Sequence, residues 1–442
     1  MNNITHKLHS SANRAIKHYN DIRALGTAEA IRKARKALLI MRFELLYLFA
    51  YPFALLTVLC VRLIRPWLII RLGILRSERI GHFSIHPEIY LSGLDCGIEN
   101  PNKPFLDIWS LGRYTSNHQL AKMWRRSLRI WPYWIVWPLF RINASFAGHG
   151  IHCIPHADLN LDFRKACISQ DVLARTDSHL YFTASEKENG FRCLNAMGIA
   201  QGTKYICFHG RDSRYLQETY PGPGNWSYHD FRDVDIHNYL PAVEELTRRG
   251  YVAVRMGSKV RDRLTSTNPN IVDYANSPHQ SDFMDIFLSA HCEFFLSSGS
   301  GVMCVSMAFR RPQVIISEAP LCTSLDMDSS HLFIPKLYRK ISSARDMTYS
   351  EIFATHAHKF DVTQDYSDAG IHLVESSPHD ILDLVIEAEE RFRGAWAPKP
   401  EDDELQQRFW VIRPNDYHSG PIRSKIGASF LRNHPHLLDL LA

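Results

Sequence analysis

The sequence has no CxxC pair, no internal repeat, no low-complexity tract and no uninterrupted apolar run of eighteen residues. Nine cysteines are scattered, and Cys207, Cys292 and Cys304 fall inside apolar runs. An odd, unpatterned set excludes a disulfide framework and points to buried thiols in a reducing compartment. No Walker, G-x-S-x-G or dinucleotide G-x-G-x-x-G motif stands in the right context. The doublets His356-Ala357-His358 and His434-Pro435-His436 lack further ligands at useful spacing, which argues against zinc. Acidic residues are scarce at one end. Residues 1–79 hold 14 Lys+Arg against 4 Asp+Glu, a balance of +10 within an overall +5, so the remainder is mildly acidic. That distribution suits a local electrostatic anchor and argues against a nucleic-acid-binding body.

What is present is ordinary for a folded chain: 442 residues, 45% hydrophobic and 22% charged, with room for two or three domains. Residues 1–66 read as a basic and apolar helical segment. Arg32-Lys33-Ala34-Arg35-Lys36 is followed by the 17-residue stretch Leu45–Val61, interrupted by Pro52 and flanked by Arg42, Arg62 and Arg65. The stretch is borderline for a span and lies too far in for a signal peptide. It fits a tilted span, an interfacial helix pair or a core hairpin; basic flanks with boundary aromatics favour membrane association, interfacial rather than spanning. Residues 67–202 are expected to form an N-terminal α/β domain, with a strand–turn–helix start at Gly81. Within it, Leu120–Arg141 is rich in Trp and Arg, either as core aromatics or as a second membrane-facing patch. Residues 203–395 show regular strand–helix alternation, and 396–442 a Pro- and acid-rich linker with a C-terminal helix packing back on the domains.

The chemistry concentrates in Glu293–Ser317: strand, Ser/Gly turn (Ser297, Ser298, Gly299, Ser300, Gly301), helix, strand. This is the pattern of a β-α-β unit. Small residues at such a turn allow close approach to the backbone, and a helix start favours an anion; serine caps and sterically required glycines are the plainer alternative. In an open parallel sheet, ligands bind at the carboxyl ends of strands. The other strands of this half end at His209, Gly210, Arg211 and Asp212, at Arg255, Gly257 and Ser258, and at Ser317 and Glu318, while Asp273 and Tyr274, in the loop after the second of these, would lie near base or ribose. Two arginines converging with the turn would suit a diphosphate. Asp282, beside Ser281, is equally an N-cap element or a ribose contact. The loop with Pro221–Gly224 and Trp226 is too long for a simple connector and reads as a lid. Asp326-Met327-Asp328 has the DxD form of a metal motif but sits in a loop after a strand of a half in which arginines and a helix start would meet leaving-group charge; no metal is expected.

The run Asp282–Ile316 resembles the donor-half motif of GT-B glycosyltransferases. RIGHF, PEIYL, NHQLAKMW, CFHGRDSRYL, GYVAVRMGS and IGASFLRNHPHLL together resemble a family of bacterial glycosyltransferases associated with surface-polysaccharide and related glycan assembly, over about residues 65–442. His209-Gly210-Arg211 is also similar to the HxR element of GT-B fucosyltransferases. Asp212 follows Arg211 directly, however, where those enzymes space the acid further on, so a GDP-fucose donor is not implied. The resemblance implies an α/β, GT-B-like fold of two Rossmann-like domains with parallel sheets and metal-independent transfer. The donor would be a nucleotide-diphospho-sugar, no cofactor would be tightly bound, and the acceptor would be a glycan or lipid-linked glycan. Together with the basic and apolar N-terminal segment, this reading places the protein on the cytoplasmic face of a bacterial inner membrane, peripheral or monotopic. The base would come from the first half, with His82 and then Glu88 as candidates. Alternatives are a nucleotide-sugar epimerase, a polysaccharide-modifying transferase, or a membrane-bound scaffold without activity.

Overall fold

Short apolar runs in the first half produce only a small sheet. In the computed structural model, which describes residues 47–98, 100–155, 170–219, 226–323, 331–413 and 424–440, β1 (Ile69–Ile74) and β2 (Phe105–Ser110) pair in parallel with Ile69 opposite Phe105. Single parallel bridges add Cys153 beside β1 and Ile130 beside β2. The two strands share a buried ion pair: Arg71 donates to both oxygens of Asp107, at 2.7 and 2.9 Å. A forked guanidinium on a carboxylate is the geometry in which buried charges offset their own desolvation.

Around this sheet lie α1 (Tyr51–Ile64), α2 (Ile80–Asp95), α3 (His118–Ser127) and α4 (Tyr133–Ala144). α2 is almost wholly buried and carries Pro87 in its interior. Proline cannot donate to the carbonyl four residues back; that carbonyl, Phe83 O, instead accepts from Trp124 Nε1 at 2.8 Å. The Trp of α3 thus repairs the hydrogen bond that the proline of α2 removes.

The second half begins against α5 (Ala184–Ala196), started by a capping box of Thr183 and Glu186. Its strands are β3 (Tyr205–His209), β4 (Val252–Arg255), β5 (Ile271–Val272), β6 (Phe295–Ser297), β7 (Gln313–Glu318), β8 (Leu332–Pro335) and β11 (Lys425–Ile426), with β9 (Leu337–Lys340) and β10 (Ile371–Val374) forming a separate antiparallel ribbon. The seven-stranded sheet has the order β11-β8-β7-β6-β3-β4-β5, and every pair in it is parallel. From β5 to β8 this is the doubly wound order, reversing direction between β3 and β6. Its crossovers include α6 (Leu240–Arg248), α7 (Asp282–His291) and α8 (Met303–Ala308). Beyond them come α9 (Thr363–Asp368), α10 (Pro378–Phe392), α11 (Asp402–Ile412) and α12 (Ala428–Asn433).

Two expectations change. Among the described residues the first half has one two-stranded sheet, not a sheet like that of the second half, because its Trp- and Pro-rich apolar run enters α4. Residues 180–196, expected with that half, pack on α7 of the other: Phe182 meets Phe283 and Phe287, and a Cβ on Gly190 would lie 2.1 Å from the Phe287 ring. The C-terminal chain adds β11 beside β8 and sets α12 on α10 and α11. One continuous hydrophobic core runs from Phe83 and Trp124 to Val305 and Phe333. The basic residues 1–46, the Pro221–Gly224 lid and Asp326–Asp328 lie outside the described residues; Leu45–Val61 is described from Tyr47, and its later part forms most of α1.

Candidate functional site

The reversal between β3 and β6 leaves a crevice at their carboxyl ends, where an open α/β sheet receives its ligand. His209-Gly210-Arg211 follows β3 and the Ser/Gly turn follows β6. The two loops are tied directly, the Arg211 N–H donating to Ser298 Oγ at 2.9 Å. The turn itself is closed by packing. Ser297 through Ser300 are buried, the Arg232 guanidinium donates to Gly299 O, and Ser297 and Ser300 share a 3.0 Å hydrogen bond. Gly299 lies at φ 66°, and a Cβ there would come within 2.6 Å of Glu318. A Cβ on Gly81, at the start of α2, would lie 2.9 Å from Gly301 Cα. Sterics therefore account for these glycines, and α8 is only six residues long.

The cations lie around the turn. Arg211 donates to Asp233 at 2.5 Å and to the His229 carbonyl at 2.8 Å. Burial, reinforced by neighbouring Arg232, lowers it to about 10, so it stays charged at neutral pH. Arg232 Nε is buried without a hydrogen-bond partner. Arg76 and Arg79 approach from the loop between β1 and α2. Their fields register on two histidines. Burial, then His86, Arg76, Arg79 and Arg232, depress His82 to about 2; burial, then Arg232, Arg211 and Arg79, depress His229 to about 4. Both are neutral at pH 7, in positive surroundings contributed by both halves.

Beside the arginines opens a cavity of about 710 Å³, lined by Gly210, Arg255 and Lys336 at strand ends and by Phe231, Tyr366 and Leu373 on its walls. Its six carboxylates (Asp212, Asp230, Asp233, Asp235, Asp262, Glu375) outnumber its Arg and Lys side chains (Arg255, Arg261, Lys336). Such a lining suits hydroxyl-bearing and aromatic groups better than phosphates. Burial raises Asp233 to about 6, with Arg211 opposing and Asp230 and Asp212 adding.

Several residues named from sequence have other work. Glu88 has no exposed surface and holds Arg310 at 2.7 Å and His179 at 3.1 Å; it braces the two halves and is not available as a base. Arg255 is 2% exposed and donates to Asp262 O, with Asp273 at 3.6 Å. Asp212 accepts from the backbone N–H groups of Arg214 and Arg261. His209 Nδ1 lies 2.9 Å from Met256 O. Gly257 (φ 144°) is confined by Val260, and Ser258 is exposed on the same loop. Ser281 is the cap of α7, while Asp282 accepts from His118 N–H of α3 at 2.7 Å. Sequence reasoning passed over Arg232, Asp233 and Lys336. The charge density of Asp230-Phe231-Arg232-Asp233-Val234-Asp235, in a loop already too long to be a connector, was the available signal. Among the described residues no cluster of His, Cys, Asp and Glu is arranged for a metal ion.

Tyr274 is fully buried and donates to Asp285 at 2.8 Å. Burial raises Asp285 to about 7, far above its value in an unfolded chain, about 3.9. The folded state then keeps a proton that the unfolded state has lost. The Asp285 contribution to stability should therefore be full below about pH 4, fall as pH rises through about 7, and level off above. Asp285→Asn should flatten that slope in urea titrations at a series of pH values; an unchanged slope would assign it to other groups.

No protein-family model matches the sequence, and no curated protein matches it. Two solved structures show a partial likeness to the chain. One is E. coli ADP-heptose LPS heptosyltransferase II, at 12% identity and TM-score 0.35, covering 61% of this chain and 91% of that one. The other is a glycosyl transferase family 9 protein from Veillonella parvula, at 11% identity and TM-score 0.36, covering 60% and 86%. Similarity at this level assigns no activity.

Proposed function

We propose that this protein is a glycosyltransferase that takes a sugar from a nucleotide-diphospho-sugar and passes it to a glycan or lipid-linked glycan acceptor. The observation that carries this reading is the crevice between β3 and β6, where Arg211 and Arg232 of one half and Arg79 of the other all act on His229, beside a cavity rich in carboxylates. Transfer from such a donor releases a nucleoside diphosphate, and guanidinium groups stabilise the charge developing on its terminal phosphate without a metal. The carboxylates and aromatic walls of the cavity suit the hydroxyls of the sugar and nucleoside. The sequence resemblance to GT-B enzymes supports the same reading.

The acceptor hydroxyl must lose a proton. His82 lies at the arginine cluster and is neutral there, and a bound diphosphate would raise its basicity. Asp233 replaces Glu88 as the second candidate, since a carboxyl near 6 is well placed to act as a base at neutral pH. A thermal-shift series with UDP, GDP, ADP, CMP and their sugar conjugates tests the donor assignment. One nucleoside diphosphate at about 100 times its dissociation constant should add about 2.7 kcal/mol of stability. A folded protein that responds to none of them, with or without membrane extract, would leave the inactive scaffold as the better account.

A further inference from the structure

We propose that α1, with Trp67, Trp131 and Trp134, docks this protein flat on an anionic phospholipid bilayer. The helix YPFALLTVLCVRLI buries only Ala54 and Val58, four residues apart, toward α4. Around the rest of its surface Phe53 (75% exposed), Leu56 (63%) and Leu63 (76%) face outward. A helix that is apolar all round belongs in a core or in lipid, and this one lies on the outside.

Its polar side chains are bonded within the protein. Thr57 donates to the carbonyl of Phe53 at 2.8 Å, within the helix. Arg62 donates to Asn143 at 3.0 Å and to Ala147 O, and lies over the Phe146 ring at 5.0 Å. The outward face thus offers hydrocarbon without an unmet donor or acceptor, as a lipid contact requires. Trp67, Trp131 and Trp134 are exposed at 73%, 45% and 66%, the residue type that gathers at the headgroup boundary.

Charge selects the partner. No acidic residue occurs in 47–77 or in 108–155, segments that hold four and six Lys+Arg respectively. Among the described residues no helix is long and apolar enough to cross a membrane. At 1.5 Å per residue, α1 extends only about 21 Å against a hydrocarbon core of about 30 Å. Length, apolar face, boundary tryptophans and one-signed charge together fit a helix lying in the plane of the interface. A second copy would also cover the face, but like charge on both copies would oppose it.

The test is co-sedimentation of the full chain with phosphatidylcholine vesicles containing about 30% phosphatidylglycerol, with pure phosphatidylcholine alongside. Wild type should pellet with the anionic vesicles, bind at least tenfold less to the neutral ones, and show a blue shift of Trp emission. The triple variant Phe53→Ser/Leu56→Ser/Leu63→Ser removes only exposed apolar groups and leaves residues 1–46 intact. It should bind about 100-fold more weakly while unfolding at the same temperature. Equal pelleting of variant and wild type would overturn the proposal, as would failure of wild type to pellet. So would a lipid-free dimer in sedimentation velocity that the triple variant dissociates.

Discussion

Arg310→Ala should cost this protein about 3–5 kcal/mol, the range for stranding one member of a buried ion pair. Arg310 Nη2 meets Glu88 at 2.7 Å and also reaches Ser92 Oγ, Thr176 Oγ1 and Asp177 O, while its Nε donates to Thr176 O. It binds the end of α8 in the second half to α2 and the following chain in the first. Glu88 has no exposed surface, so removing Arg310 leaves a carboxylate that water cannot reach, with His179 as its remaining partner. Burial opposes ionisation of His179, but the hydrogen bond and charge of Glu88, with Asp95, raise its pKa. The loss should accordingly be smaller below pH 6, where His179⁺ stands in for the guanidinium. Adding Glu88→Gln to Arg310→Ala removes the stranded charge and should recover 1 kcal/mol or more of the single-variant loss. Urea titrations of the two singles and the double close the cycle; strict additivity would mean that the pair does not join the halves.

The second half was legible in sequence because its strands are short apolar runs in regular alternation with helices, and a parallel sheet turns that pattern into one topology. Arg211 and Ser298 could be placed at the ligand edge from strand ends alone. The first half was less legible. Its longest apolar stretch, around Trp131–Arg141, contains Pro132 and Pro138 and folds as a helix, so hydrophobicity there did not mean strand. Glu88 was misjudged for a related reason. Its partner lies 222 residues away, and the packing of α2 on α8, with Gly81 against Gly301, brings the two together. Arg232 escaped notice because loop residues follow no period; its position depends on a carbonyl, Gly299 O, that β6 fixes from across the sheet. The Ser/Gly turn was found, but its serines and glycines are explained by closeness of packing as fully as by a ligand. In the proposed reading, an anion would accordingly be held by side chains around the turn more than by its backbone.

That shift gives the Arg211–Asp233 pair opposite predictions for its two members. With the nucleoside diphosphate that stabilises wild type, Arg211→Ala should weaken binding about 100-fold or more. Each charge-assisted hydrogen bond contributes about 1.5–3 kcal/mol and each 1.4 kcal/mol is a factor of ten. Asp233→Asn should strengthen the same binding several-fold, because it removes a carboxylate that competes with phosphate for the guanidinium at 2.5 Å. If Asp233 is also the base, transfer by Asp233→Asn should fall by about 10²–10⁴ although the donor binds more tightly. A structural strut behaves differently, since both substitutions would then lower stability and neither would change affinity. In that event the diphosphate must be held by Arg79 and Arg232, and Arg79→Ala becomes the cleaner probe: its side chain is exposed and forms no ion pair among the described residues, so a loss of nucleotide affinity could not be laid to the fold. Calorimetric titration of the three variants at two salt concentrations separates these cases, because phosphate contacts by an exposed Arg79 weaken with salt more than those by the buried Arg211.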